Sequence, residues 1–148
     1  MKMLFLATNL LVSCVFISCS QEIDKSERER QKGYKELKVY SYDYNFDSGE
    51  LDTNSKELEE EYTYDKEGNI ATKKYFLKDN SYTKQVYKYN NKGFLIELQV
   101  FDIFDNNIED EKLTMIIKYK YNDKGLLIEK AYYNKHGEPI SKHIYEYN

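Results

Sequence analysis

Cysteine is nearly absent: the chain has two in 148 residues, Cys14 and Cys19, both inside the first nineteen. Everything beyond them lacks a thiol, which excludes a disulfide framework and any thiolate metal site from the body of the protein. Histidine is almost as scarce. His136 and His143 are the only two, and seven residues with a turn between them is not a zinc-ligand spacing. The six glycines are scattered, so no cluster could cradle a phosphate, and no serine sits in a Gly-x-Ser-x-Gly elbow. There is no excess of basic charge either. With 26 acidic against 22 basic residues and no basic patch, nucleic acid is excluded as a partner. Proline occurs once, at Pro139, and tryptophan not at all.

Tyrosine is what the chain has in quantity: sixteen, with seven phenylalanines. Many of them fall in a repeated phrase of Tyr-x-Tyr, then Asp or Asn, two residues, glycine and an aliphatic position. It reads Tyr62-Thr63-Tyr64-Asp65-Lys66-Glu67-Gly68-Asn69-Ile70, then Tyr87 to Leu95, then Tyr119 to Leu127, and opens again at Tyr145-Glu146-Tyr147-Asn148. Intervals of 25, 32 and 26 residues between the first tyrosines lie in the range that marks an array of supersecondary units.

Between the phrases the apolar period is two. Leu113, Met115, Ile117, Tyr119 and Tyr121 recur at every second position, as do Tyr40, Tyr42, Tyr44 and Phe46. Alternate side chains share a face of a strand, and aromatic and β-branched residues favour strand over helix. Eight strands are expected, near 37–46, 56–64, 70–78, 82–90, 94–102, 112–122, 126–134 and 140–147. Short turn-forming gaps separate them, so neighbours run antiparallel. The predicted fold is all-β: an antiparallel meander of repeated hairpins forming an open twisted sheet.

The phrase itself predicts a turn. The side chain of Asp65, Asn90 or Asn122 accepts from the backbone two residues on, and the following glycine takes the left-handed conformation that closes a three-residue loop with a bulge. In that register Tyr64 faces Ile70, Tyr89 faces Leu95 and Tyr121 faces Leu127. Counting in twos then places Phe76, Phe101 and Tyr133 on the same face. The expected binding surface is one aromatic ladder of Tyr62, Tyr64, Phe76, Tyr87, Tyr89, Phe101, Tyr119, Tyr121, Tyr133, Tyr145 and Tyr147. Phe94, Ile96, Leu98, Ile116 and Ile128 are expected on the opposite side.

The N-terminus reads as a processing segment. Lys2 precedes an apolar stretch from Met3 to Phe16, and small residues precede Cys19. That stretch is shorter than the ~20 residues a membrane helix needs. A cysteine at such a junction resembles the lipobox of bacterial lipoproteins, which implies an acylated thiol at the new first residue. Cys14 offers a competing junction, but cleavage there would expose Val15-Phe16-Ile17, whereas Cys19 leaves the polar Ser20-Gln21-Glu22. The expected organisation is a signal segment over 1–18, a charged tether over 19–36 and a repeat domain over 37–148. The tether has too few apolar side chains to offset the entropy of ordering itself. The implied location is the bacterial cell envelope, on the outer membrane or cell surface.

Two groupings resemble chemistry. Asp43-x-Asn45-x-Asp47-Ser48-Gly49 looks like the start of a calcium loop, but its glycine is one place late and Asn54 stands where the loop needs glutamate. A solvated hairpin turn explains it better. Glu97 and Glu129 occupy matched positions, and alternate strands would separate them by ~9.6 Å. That suits an inverting glycosidase pair, yet no cleft is expected and Thr72 fills the position in the first repeat. Repetition explains both glutamates without catalysis, and no cofactor or metal is implied.

The phrase at Tyr62 to Ile70, with its copies at Tyr87 and Tyr119, resembles the YD (RHS-type) repeat family over about residues 60–148. Tyr132-Tyr133-Asn134-Lys135-His136-Gly137-Glu138 is similar to the short repeats of MORN-like modules. The resemblance implies hairpins winding into a sheet on secreted or extracellular proteins, without catalytic residues; three or four repeats are too few to enclose a cavity. The expected function is therefore a non-enzymatic, lipid-anchored surface for a protein partner, with a glycan second. Two alternatives are a small barrel carrying an apolar ligand, which needs its first and last strands to pair, and an immunity or inhibitor lipoprotein.

Overall fold

The computed structural model describes residues 33–78, 81–103 and 111–148. The signal segment, Cys19 and most of the tether lie outside them. Among the described residues there are ten strands: β1 (Glu36–Ser41), β2 (Tyr44–Asn45), β3 (Glu50–Leu51), β4 (Glu57–Tyr64), β5 (Ile70–Phe76), β6 (Tyr82–Tyr89), β7 (Leu95–Ile103), β8 (Lys112–Tyr121), β9 (Leu127–Asn134) and β10 (Pro139–Ile144). Eight of them form one sheet in the order β1-β4-β5-β6-β7-β8-β9-β10, with every pair antiparallel. The meander is open. β1 and β10 are its two edges and do not pair, so the closed barrel that a carrier would require is not formed.

The repeated turn explains the regularity. Asn90 N–H donates to Phe94 O at 2.9 Å, and Gly93 N–H donates back to Asn90 O at 3.0 Å. The Asn90 Oδ1 meanwhile accepts from the amides of Lys92 at 2.9 Å and Phe94 at 3.0 Å. The same four bonds recur at Asp65, Asn122 and Asn134. The glycines that close the turns have φ of +84, +81, +80 and +79°, a region that costs other residues about 1–2 kcal/mol. One side-chain oxygen thus satisfies two amides that the bend would otherwise strand.

The pairing is as expected at the turn: Tyr64 opposite Ile70, Tyr89 opposite Leu95, Tyr121 opposite Leu127. One pair further on, each hairpin skips a residue. Thr63 pairs with Thr72, Lys88 with Glu97 and Lys120 with Glu129, leaving Ala71, Ile96 and Ile128 without opposite numbers. This bulge reverses the parity of the rest of the strand.

The expected first strand, 37–46, is shorter than predicted. It leaves the sheet after Ser41 because the backbone at Asp43 is engaged elsewhere: its N–H donates to Ser55 Oγ at 2.6 Å and its carbonyl accepts from Asp52 N–H at 2.9 Å. Tyr44 and Asn45 then pair with Leu51 and Glu50 in a separate small hairpin. At the other end the last strand stops at Ile144 rather than 147.

The main buried cluster lies on one face of the sheet. Leu98, Val100, Ile117 and Tyr119 are buried there, with Tyr87, Leu95, Met115, Tyr121, Leu127 and Tyr132 packed around them. Fully burying one such aliphatic chain is worth about 1.5–3 kcal/mol.

Candidate functional site

Cross-strand partners share a face, so the register assigns the rings that have a partner. Tyr62, Tyr64, Tyr87, Tyr89, Tyr119 and Tyr121 stand on the core side, as expected, and form a tyrosine face. Phe76, Phe101 and Tyr133 do not join them. Phe76 pairs with Tyr82, Phe101 with Lys84, and Tyr133 with Ile116, all on the opposite side. The skipped residue after each turn is the reason, since counting in twos from glycine fails across it. Tyr75 and Tyr132 take the vacated positions on the tyrosine face, and the signal for them was seven residues past the glycine rather than eight. Leu98, expected opposite, pairs with Tyr87 and Ile117 and belongs to the tyrosine face too. Tyr145 continues it, its N–H donating to Ile128 O at 3.1 Å, and Tyr147 reaches Leu127 O at 2.8 Å through its hydroxyl while remaining 55% exposed.

Tyr133 has a second, geometric reason to lie opposite. Its turn, Asn134 to Glu138, has the chemistry of the other three but sits at the far end of the sheet. Carrying a hairpin of fixed handedness to that end, while the meander advances in the same direction, requires a half-turn about an axis across the strands. That rotation exchanges the faces, so the tyrosine preceding Asn134 must emerge on the other side.

The tyrosine face is already rich in internal partners. Lys73 Nζ lies 4.6 Å from the Tyr62 ring centre, 4.0 Å from that of Tyr75 and 3.2 Å from a Glu60 carboxylate oxygen. The Tyr62 hydroxyl donates to Glu60, and that of Tyr87 to Gln85 at 2.5 Å. Lys130, buried, lies 5.1 Å from the Tyr132 ring and 5.7 Å from that of Tyr119. Phe94, expected on the opposite side, instead stacks on Tyr121 at 4.9 Å, and the Tyr121 hydroxyl donates to Leu95 O at 2.9 Å. Burial, followed by the hydrogen bond to Glu60, pushes the Tyr62 hydroxyl up to about 12. Burial likewise raises Tyr87 and Tyr119. None of these phenols is poised to give up a proton near neutrality.

The opposite face is a ladder of charges above an aromatic patch. Its pairs are Lys38–Glu61 at 3.8 Å, Lys74–Glu61 at 2.8 Å, Lys88–Glu97 at 2.7 Å, Lys120–Glu129 at 3.0 Å and Lys142–Glu129 at 3.2 Å. The patch holds Phe76 against Tyr82 at 5.5 Å and the fully buried Ile103. Glu97 and Glu129 both belong to the ladder. The Lys88 hydrogen bond holds the Glu97 carboxyl below the usual range, and the Lys120 hydrogen bond does the same for Glu129. A general acid needs the opposite shift. At the segment that resembles a calcium loop, Asn45 Oδ1 accepts from the amides of Asp47 at 3.0 Å and Ser48 at 3.2 Å, as the expected hairpin turn requires. Among the described residues no three His, Cys, Asp or Glu side chains approach as metal ligands.

Neither the models of known protein families nor the curated proteins contain a match to this sequence.

Proposed function

We propose that this is a non-enzymatic lipoprotein of the bacterial envelope, anchored through Cys19, whose sheet presents its tyrosine face to a protein partner. One observation carries the reading: no α-helix and no second large sheet lies among the described residues to cover that face. Sheets ordinarily bury an apolar face against another layer. Tyrosine suits an uncovered face of this kind, because it offers contact area at small entropic cost while its hydroxyl stays satisfied. The depressed carboxyls of Glu97 and Glu129 support a role without acid catalysis. The resemblance of the turn phrase to YD-type repeats points the same way.

The test is capture from an envelope extract by the full chain, compared with two double variants. Tyr64→Ser with Tyr89→Ser should abolish capture of a protein, whereas Lys88→Ser with Lys120→Ser on the other face should leave it unchanged. Equal capture by all three would sink the tyrosine-face reading, and capture of glycan alone would replace the partner. Anchoring is checked separately: palmitate labelling should vanish in Cys19→Ser and persist in Cys14→Ser.

A further inference from the structure

The two edges of the open sheet match each other. We propose that β10 of one chain pairs with β1 of a second copy, so that copies join head to tail into one continuous antiparallel sheet. This goes beyond the proposed function and does not depend on it.

Three features point to that occupant. The first is polarity. Eight alternating strands leave β10 running against β1, so a copy in the same orientation continues the meander without reversing a strand or exchanging the faces. The second is charge. The charge ladder reaches one edge of the sheet as Lys120–Glu129–Lys142 and the other as Glu36–Lys38–Glu61–Lys74, in contacts of 2.8 to 3.8 Å. Setting Lys142 opposite Glu36 of the next copy makes seven charges that alternate in sign without interruption. Opposite charges across strands are favourable and like charges are not.

The third is what the same register covers. It places Ile144, 59% exposed, against Tyr34, 67% exposed, and sets Ile140, 62% exposed, opposite the aliphatic stem of Lys38. An edge strand with unpaired amides and carbonyls is a template for just such an addition. Pro139, which lacks an N–H, occupies the first position of β10 and leaves the remainder able to pair. A head-to-head pairing of two β1 strands would leave both β10 edges open, whereas the head-to-tail joint satisfies both edges. Such an interface is heterologous and propagates.

Cysteine cross-linking of the full chain tests the geometry, in a Cys14→Ser, Cys19→Ser background. Within one chain β1 and β10 are seven strand spacings apart, ~34 Å at ~4.8 Å each, far beyond the ~7 Å a disulfide spans. Glu36→Cys combined with Lys142→Cys should therefore give a ladder of dimers, trimers and larger species on oxidation. Each single variant, and a Glu36→Cys, Lys124→Cys control, should stay monomeric. Dimers from a single variant, or a ladder no stronger than the control's, would overturn the proposal. Sedimentation of the otherwise unaltered chain in detergent gives a second reading. Lys142→Glu or Glu36→Lys alone should abolish the species larger than monomer, and the two together should restore them. A parent chain that is monomeric at every concentration, or a double variant that fails to recover, would also overturn it.

Discussion

The three repeats share one backbone and fill it differently. Five residues past their glycines stand Lys73, Leu98 and Lys130; two residues before their first tyrosines stand Glu60, Gln85 and Ile117. In β4 and β5 the centre of the tyrosine face is an ion pair, Glu60 with Lys73, clasped between the rings of Tyr62 and Tyr75. In β6 to β8 it is aliphatic, Leu98 against Ile117 and Val100. The turn, with its carboxylate or amide oxygen and its glycine, fixes register in both regions. The face is then free to be closed by long charged stems or by apolar packing. A single sheet can in this way hold its own surface without a covering layer at every point.

The sharpest way to break that contrast is to open the aliphatic region. Leu98→Ala should cost about 2–4 kcal/mol, as truncating a buried leucine does, read as a fall in the denaturant midpoint. A loss below about 1 kcal/mol would mean that Leu98 is not packed as its 7% exposure indicates. Next in size is the turn that couples repeats. A Cβ on Gly125 would meet the Phe94 ring at 2.9 Å, whereas one on Gly137 meets nothing within 4 Å. Both substitutions to alanine incur the left-handed penalty of about 1–2 kcal/mol. Gly125→Ala should lose roughly 1 kcal/mol more, because Phe94 must move off Tyr121. Equal losses would show that the turns do not pack across repeats.

Much of this was legible in the sequence, and the limits have a physical cause. The turn phrase carries its own hydrogen-bond acceptor and its own left-handed residue, so strand order and the pair beside each of the three turns follow from local chemistry. The parity beyond the turn does not. The skipped residue is Ala71, Ile96 or Ile128, and nothing in those side chains announces a bulge; a one-residue slip then moved Phe76, Phe101, Tyr133 and Leu98 across the sheet. The departure of the chain after Ser41 was equally hidden. It depends on Ser55 and Asp52, distant in sequence, capturing the backbone at Asp43. The fourth turn, at Asn134, was visible as a turn but not as one whose face is reversed.

A smaller effect tests the ionic region. Lys73→Ala removes two cation–ring contacts and one partly screened ion pair, each worth about 0.5–1 kcal/mol or less. The loss should be about 1 kcal/mol, clearly below that of Leu98→Ala at the equivalent position. Comparable losses would erase the distinction between the two regions.

The smallest effect, and the most selective, is alkaline. Tyr62 has its hydroxyl raised from the ordinary value of 10.0 to about 12, first by burial and then by its bond to Glu60. The folded chain therefore holds that proton more tightly than the unfolded one. The stability this confers is fully present below pH 10 and is lost as pH rises through about 12. Tyr62 is half-buried while Tyr119 is only 5% exposed and raised further, so the phenol of the ionic region ionises before that of the aliphatic one. Tyr62→Phe removes the titrating group, and the alkaline midpoint seen by far-ultraviolet circular dichroism should move upward, with absorbance at the tyrosinate band reporting one fewer late-ionising phenol. An unmoved midpoint, or a Tyr62 that ionises near 10, would mean that the Glu60–Tyr62–Lys73 cluster does not close the face of the first repeat as its geometry implies.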